Sequence, residues 1–220
     1  TNSIASIGGG NFENLVASGA SVSTTVTDEP IADVTTVSLS ATPSVAEGGS
    51  ITYTATLSNA AQTPVSVTLS NGQSITIGAG ASTGSVSVAA PTDDVYIDAG
   101  SVSASITGAT GGNFESLAID PTAAVTAVSD TIDTVTATLT ASGSVNEGSP
   151  ITYTVSLPDA VTGSPVTVTL ANGEVITIGI GASSGSITTT PPDNVYAGSS
   201  SITNSIASIG GGNFENLVAS

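Results

Sequence analysis

The chain repeats its own sequence at a spacing of about 100 residues, and this spacing limits the size of the unit that folds. Residues 1–18 recur without change at 203–220. Three further segments match in the same order: VAEGGSITYTATL at 45–57 with VNEGSPITYTVSL at 145–157, PVSVTLSNGQSITIGAGASTGS at 64–85 with PVTVTLANGEVITIGIGASSGS at 165–186, and PTDDVY at 91–96 with PPDNVY at 191–196. A unit of this length is a single small domain, so the chain is predicted to be a tandem array.

These matches divide the chain into three parts. We predict that residues 1–32 are the C-terminal part of a preceding repeat, 33–131 a complete repeat, and 132–220 a second repeat that lacks its last strand. Residues 20–26 have the sequence expected of such a last strand. The sequence contains no Met, which favours an internal piece of a longer protein.

Short alternating segments fill each repeat. Apolar residues at 51, 53, 55 and 57 alternate with Thr, which is the period-2 pattern of a half-buried strand. Asn71-Gly72 favours a two-residue hairpin turn between two such segments. We count seven strands per repeat, near residues 37–39, 51–57, 65–69, 75–77, 86–88, 102–106 and 123–128. The predicted fold class is all-β, with tandem seven-stranded immunoglobulin-like β-sandwiches, and a closed barrel is the alternative.

One segment interrupts the alternation. Phe114 and Leu117 follow a glycine pair, as do their equivalents Phe214 and Leu217. We predict that these side chains plug the core beneath the loop before the last strand. The sequence GGGNFENLV is not a calcium-binding nonapeptide of the repeat-in-toxin type, because it lacks the glycine at the fourth position and the aspartate at the sixth.

The charge composition excludes many classes of partner. The chain has 17 Asp and Glu residues and no Lys, Arg, His or Cys, which gives a formal charge of −17 at pH 7. Without cationic side chains it cannot neutralise nucleic-acid phosphates or anionic lipids. Since it also lacks a run of about 20 apolar residues, we predict neither nucleic-acid binding nor membrane insertion. The partner that this charge favours is a cation.

The same composition argues against catalysis. Sites of the Ser-His-Asp and Cys-His types cannot be built without His or Cys. A carboxylate enzyme or a carbohydrate-binding module remains an alternative, although four Tyr and three Phe offer few platforms for sugar rings. We therefore predict that the chain is not an enzyme.

The predicted strand order brings acidic residues to one end of the first repeat. When seven strands, A to G, run alternately down and up, the A–B and E–F loops share an end with the exit of strand G. The candidate ligands there are Glu47 in the A–B loop, Asp93 and Asp94 in the E–F loop, Asp130 at the exit of strand G, and Asp133 at the start of the next unit. Asp98 lies near them, but we expect it to contribute less than Asp93 because it falls in a stretch that the second copy lacks. Neighbouring repeats supply the candidates Glu147, Asp193 and Asp28.

Carboxylates that share one pole repel each other unless a cation lies among them. Loop oxygen ligands, completed by backbone carbonyls to roughly six to eight positions, suit Ca²⁺. The sequence therefore predicts a calcium site, with solvated loop acids as the alternative.

Several motifs together resemble one protein family. They are the VxEG opening with ITYT after it, the Asn-Gly hairpin, the DDVY and DNVY loops, the GGNFE turn and the closing VTD and VSD. The chain resembles the immunoglobulin-like extender repeats of giant bacterial repeat-in-toxin adhesins, which are exported by type I secretion, such as the large adhesion proteins of pseudomonads. The VxEG strand and the acidic loop are also similar to Calx-β domains. The resemblance implies an extracellular rod at the bacterial cell surface, associated with biofilms, in which Ca²⁺ stiffens the junctions at Glu47, Asp93, Asp94, Asp130 and Asp133.

The leading functional hypothesis is a structural spacer whose partners are the neighbouring repeats of the same chain. A second hypothesis is a self-assembling extracellular fibre or surface array. In it, residues 20–26 of one copy would complete the open sheet edge of another by strand complementation.

Overall fold

In the computed structural model, the described part of the chain (residues 1–27, 29, 31–193, 195, 198 and 200–220) is built of β-strands and contains no helix. The named strands begin at Val34 and end at Ala219. Before Val34 the described residues make one isolated bridge, between Asn2 and Val22. The prediction of an all-β chain of immunoglobulin-like sandwiches is confirmed.

The first repeat contains ten strands instead of the seven predicted, because the predicted strand at 102–106 is split into two and two further short strands occur. They are β1 (Val34–Ala41), β2 (Ser44–Ala46), β3 (Ser50–Leu57), β4 (Val65–Leu69), β5 (Ser74–Ile77), β6 (Thr83–Ala89), β7 (Gly100–Ala104), β8 (Ile106–Gly111), β9 (Ser116–Ile119) and β10 (Ala124–Ser129). β1 with β2 forms the first strand of the sandwich, β7 with β8 the sixth, and β9 with β10 the last.

The ten strands form three sheets. One has the order β6-β3-β1-β9, and the other two have the orders β5-β4-β8 and β2-β10-β7. Most pairs are antiparallel, but β9 runs parallel to β1 and β2 runs parallel to β10. The sequence pattern did not predict β2 and β9, which have three and four residues. Each forms by pairing with a strand that is distant in sequence: β2 with β10, and β9 with β1.

The second repeat contains seven described strands. They are β11 (Thr134–Ala141), β12 (Ile151–Ser156), β13 (Val166–Leu170), β14 (Val175–Ile178), β15 (Ser184–Thr189), β16 (Ile206–Gly211) and β17 (Asn216–Ala219). Their sheets have the orders β15-β12-β11-β17 and β14-β13-β16. Strands corresponding to β2 and β7 do not occur among its described residues. In the first repeat both of these strands pair with β10.

Each repeat has its own core, made by the inward residues of its strands. On β4 the side chains of Val65, Val67 and Leu69 are buried while the two residues between them are exposed. The Asn71-Gly72 turn closes the hairpin from β4 to β5, with Gly72 at a φ of 81°. The predicted plug residues also pack inward: Phe114 and Leu117 contact the first core, and Phe214 and Leu217 belong to the second.

Candidate metal site

Strand pairing explains why three acidic residues meet at one end of the first repeat. β10 pairs in parallel with β2, so Ser129 lies opposite Ala46, and the residues that follow them are Asp130 and Glu47. The Glu47 amide donates a hydrogen bond to the Ser129 carbonyl at 3.0 Å, which fixes the turn after β2. On its other side β10 pairs with β7, where Val128 lies opposite Gly100. The loop that enters β7 therefore brings Asp98 to the same end.

The three side chains form a compact carboxylate cluster, which we call the Glu47 cluster: Glu47, Asp98 and Asp130. One carboxylate oxygen of each lies within 4.8 Å of the others. The Asp98 amide donates a hydrogen bond to Asp130 Oδ1 at 3.3 Å, which ties the loop to the end of β10. Glu47 is 7% exposed, and its buried Oε2 has no hydrogen-bond partner. A buried acceptor without a donor destabilises the fold by roughly 1–3 kcal/mol, so a cation bound beside this oxygen would stabilise the repeat.

The electrostatics of the cluster also favour a cation. The neighbouring Asp98 carboxyl, with which a protonated Glu47 shares a hydrogen bond, is the largest cause that raises the pKa of Glu47 to about 7 from 4.5. Burial and the negative charges of Asp98, Asp130 and Asp94 raise it further. Since the chain has no Lys, Arg or His, no side chain can supply a compensating charge. The Glu47 cluster can hold a metal ion, and three hard oxygen donors suit Ca²⁺ or Mg²⁺ better than Zn²⁺.

Two of the predicted ligands lie beside the cluster and have other contacts. Asp93 accepts a hydrogen bond from the Thr131 hydroxyl and is exposed. Asp94 Oδ1 accepts a hydrogen bond from the Tyr96 amide at 2.8 Å, which shapes the loop. Asp94 is near enough to raise the pKa of Glu47, yet neither residue belongs to the group whose oxygens converge.

The remaining predicted ligands lie elsewhere. Asp133 begins the second repeat, where its amide donates a hydrogen bond to Glu215 Oε2 at 2.6 Å. In the second repeat, the side chain of Asp193 lies against Gly148, the residue that follows Glu147. The first repeat has the same arrangement, in which the side chain of Asp93 lies against Gly48. Asp28 is outside the described residues.

Asp98 belongs to the Glu47 cluster, although the sequence analysis expected it to contribute less than Asp93. The loops of the two repeats have the same length between Tyr96 and Ile106 and between Tyr196 and Ile206, so Asp98 corresponds to Gly198. The first repeat thus carries an acid at a position where the second has none. An ungapped comparison of the two loops shows this difference, and the pairing of β7 with β10 brings Asp98 to the cluster.

The loop that carries Asp98 also joins the two repeats, through Tyr96. The Tyr96 ring stacks on Phe214 of the second repeat, with ring centroids 5.4 Å apart and an interplanar angle of 27°. The Tyr96 hydroxyl donates a hydrogen bond to the Ala160 carbonyl at 2.7 Å. Together with Val95, Tyr96 packs against the core of the second repeat.

Main-chain hydrogen bonds flank this aromatic pair. The Ile97 amide donates to the Asn213 carbonyl at 3.0 Å, and the Glu215 amide donates to the Val95 carbonyl at 3.1 Å. Asn213 Nδ2 also donates to the Ile97 carbonyl at 2.8 Å. Tyr96 and Phe214 are thus the paired residues of a short antiparallel bridge. The contact, which we call the Tyr96 joint, was not predicted from the sequence.

Comparison with protein families gives a match over both repeats. A family model described as the LapA domain matches the chain twice, over residues 33–131 and 133–220, which together are most of its length. None of the curated proteins compared with the chain matches it. Among the described residues, no helix is long and apolar enough to cross a membrane.

Proposed function

The chain belongs to the LapA domain family, and on that premise we propose that it consists of structural extender repeats of a bacterial cell-surface adhesin, in which calcium stiffens the junctions between repeats. The family is adhesin-related and implies a cell-surface protein. Beyond this family membership, we propose that the chain is a spacer, that it forms an extracellular rod and that it binds calcium. Its partners are the neighbouring repeats of the same chain, and it is not an enzyme.

One observation supports this function most directly: a single loop contributes to both the Glu47 cluster and the Tyr96 joint. Asp98 approaches Glu47 and Asp130 of its own repeat, and Tyr96, two residues earlier, reaches into the next repeat. An ion bound by Asp98 would restrain the loop that holds the neighbour. Metal binding would then limit the motion of one repeat relative to the next.

Calcium fits the cluster better than other common ions. The three carboxylates supply only part of a coordination shell, and the exposed side of Asp98 leaves room for water. Ca²⁺ accepts roughly six to eight oxygens in flexible geometry, whereas Mg²⁺ demands a near-ideal octahedron and keeps several waters. A loop cluster without fixed octahedral geometry therefore selects Ca²⁺.

Thermal unfolding tests the calcium part of the proposal. One site at a 100-fold excess of Ca²⁺ over the dissociation constant adds about 2.7 kcal/mol to the free energy of unfolding. We expect the melting temperature to rise by about 10 °C relative to chelator-treated protein. Asp130→Asn should abolish the rise, whereas Glu13→Gln, which removes one charge from an exposed acid in residues 1–32, should keep it. An equal calcium response in the two variants would exclude the Glu47 cluster as the site.

Strand complementation is a second candidate function, and one observation favours it. Residues 21–26 lie outside any named strand, with Val22 74% and Val26 90% exposed, although their sequence resembles that of β10. Val22 makes an isolated bridge with Asn2, and the described residues 200–204, which correspond to β7, lie in no strand. A fibre joined in this way should dissociate to monomers when residues 1–30 are deleted. Sedimentation that shows monomers for the full chain would exclude the fibre.

A further inference from the structure

Two turns of the chain contain the sequence Asn-Gly, at 71–72 in the first repeat and at 172–173 in the second. No other asparagine of the chain is followed by glycine. This dipeptide is chemically labile, because glycine has no Cβ that would keep its backbone nitrogen away from the preceding side chain. When that nitrogen attacks the carboxamide carbon of the asparagine, ammonia is released. Asparagine is for this reason among the thermolabile residue types.

Both turns are open to water and have similar backbone geometry. Asn71 and Asn172 are exposed, and a Cβ added to Gly72 or Gly173 would meet no atom within 4 Å. The two glycines have φ values of 81° and 86°. In each turn the glycine amide donates a hydrogen bond to a leucine carbonyl, at 3.1 Å in the first repeat and 2.9 Å in the second. Side-chain packing therefore does not prevent either turn from rearranging.

The two asparagine side chains differ in the groups that hold them. In both turns Oδ1 accepts the backbone amide two residues later, from Gln73 at 3.1 Å and from Glu174 at 3.2 Å. Asn172 Nδ2 also donates to Glu174 Oε2 at 3.0 Å, and the Asn172 amide donates to Asn204 Oδ1 at 3.3 Å. A carboxylate therefore holds the nitrogen that would leave in the second turn, at a position where the first turn has the uncharged Gln73.

The Glu174 carboxylate opposes the loss of ammonia in two ways. The attacking group is the deprotonated glycine nitrogen, and a negative charge beside it disfavours its formation. The hydrogen bond to Nδ2 also keeps the carboxamide of Asn172 in one orientation, whereas the attack requires its carbon to turn toward the Gly173 nitrogen. Gln73 cannot exert the first effect, because it carries no charge.

We propose that Asn71 is a site of spontaneous deamidation and that Glu174 protects the equivalent Asn172. The Gly72 nitrogen forms a bond to Asn71 Cγ, the Cγ–Nδ2 bond breaks, and ammonia leaves with the proton of the Gly72 amide. Water then opens the succinimide ring at either of its carbonyl carbons, which gives aspartate or isoaspartate. The net change is the addition of water and the loss of ammonia, without oxidation or reduction.

The two products affect the turn differently. Aspartate keeps an oxygen that can accept the Gln73 amide, and it adds a negative charge to a chain of formal charge −17. Isoaspartate carries the main chain through the side chain, which lengthens the loop between β4 and β5 by an atom. Because the turn sets the register of a hairpin, isoaspartate should weaken the pairing of Thr68 with Ser74. The modification is independent of the Glu47 cluster and of the proposed function.

Incubation of the full chain in warm, mildly alkaline buffer tests the proposal. Mass spectrometry of peptic peptides follows each turn, since pepsin acts in acid, where the reaction is slow, and the chain has no Lys or Arg for trypsin. Electron-transfer fragmentation distinguishes aspartate from isoaspartate. We expect Asn71 to deamidate about fivefold faster than Asn172, which corresponds to about 1 kcal/mol in activation free energy.

Exchange of the two flanking residues provides the matched controls. Gln73→Glu should slow the reaction at Asn71, and Glu174→Gln should accelerate it at Asn172. Unfolding in guanidinium chloride removes the hydrogen bond from Asn172 to Glu174, so the ratio of the two rates should be smaller there than in the folded chain. Equal rates in the folded chain, faster reaction at Asn172, or no reaction at Asn71 would overturn the proposal. A ratio that unfolding leaves unchanged would overturn the protection by Glu174 that the folded turn provides.

Discussion

At the scale of single residues, Glu47 has an environment that is unfavourable for a charged carboxylate. It lies 7% exposed between two aspartates, with one oxygen unpartnered. A carboxylate in that position is stable only if a proton or a metal ion compensates its charge. Two predictions follow from the competition between the proton and the ion.

The first concerns pH. The raised pKa of Glu47, about 7 against 4.5, means that the metal-free folded state binds a proton more tightly than the unfolded state does. This contribution to stability is complete below about pH 4.5 and is lost as the pH rises through about 7. In metal-free buffer, the free energy of unfolding measured with urea should therefore decrease over this window. Saturating Ca²⁺ should remove the decrease, because the ion takes the place of the proton.

Glu47→Gln is the matched variant for this measurement, since it keeps the shape of the side chain without its titration. Its free energy of unfolding in metal-free buffer should change less between pH 4.5 and 7 than that of the natural sequence. Parallel pH profiles for the two proteins would show that Glu47 titrates normally in the folded state.

The second prediction concerns the order of the aspartates. Asp98→Asn should weaken Ca²⁺ binding by about tenfold or more, because its oxygen converges with those of Glu47 and Asp130. Asp93→Asn should weaken it less, because Asp93 is exposed and accepts a hydrogen bond from Thr131. Isothermal titration calorimetry gives both dissociation constants. A larger loss for Asp93→Asn would restore the order expected from the sequence alone.

The sequence predicted part of this cluster correctly. Glu47 and Asp130 could be assigned to one end of the sandwich from strand count and loop order. Asp98 could not be placed by the same argument, because its position depends on the register between β7 and β10, which sets Gly100 opposite Val128. Loop order predicts which end of a sheet a residue occupies, and register decides which side chains touch.

At the scale of elements, the strands predicted correctly are those whose alternation spans several residues. β3, β4 and β5 each bury every second side chain and were located from that pattern. β2 and β9 bury too few residues to show a period, and each forms by parallel pairing with a strand distant in sequence. Such strands have no local signal, so they became visible only in the structure.

The turn that ends β8 gives a prediction about element stability. Gly111 has a φ of 102°, and a Cβ built there would clash with the Pro64 carbonyl oxygen. Gly111→Ala should therefore lower the free energy of unfolding by about 2 kcal/mol or more. Gly108, on the same strand, has open space around its Cα, and Gly108→Ala should change stability by only ~0.5 kcal/mol in either direction. Similar losses for the two variants in urea unfolding would contradict the role assigned to the turn.

At the scale of the whole molecule, the two repeats are joined by a contact that no local sequence pattern predicts. Tyr96 was interpreted only as part of an acidic loop, and Phe214 only as a core residue. Their pairing depends on how one folded repeat meets another, which sequence periodicity does not describe. The loop and the turn that form the joint each occur twice in the sequence, but this repetition does not show that they meet.

The last prediction tests whether the Tyr96 joint and the metal ion fix the two repeats relative to each other. Residual dipolar couplings give an alignment tensor for each repeat, and the two tensors agree when the repeats move as one body. With Ca²⁺ we expect agreement for the natural sequence. Tyr96→Phe should nearly preserve it, because the ring still stacks on Phe214 and only the hydrogen bond to the Ala160 carbonyl is lost. Tyr96→Ala should abolish it, because the aromatic pair contributes about 1 kcal/mol beyond the area that it buries.

Removing Ca²⁺ from the natural sequence should give an intermediate result, since the joint remains while the loop that carries it loses its restraint at Asp98. The unfolding of the first repeat serves as the internal control: Tyr96→Ala should leave it nearly unchanged, because Tyr96 packs against the core of the second repeat and not against that of the first. Tensors that stay identical in Tyr96→Ala without Ca²⁺ would mean that the short segment between β10 and β11 holds the repeats in place by itself. Tensors that already differ in the natural sequence with Ca²⁺ would exclude a stiffening role for the ion in this chain.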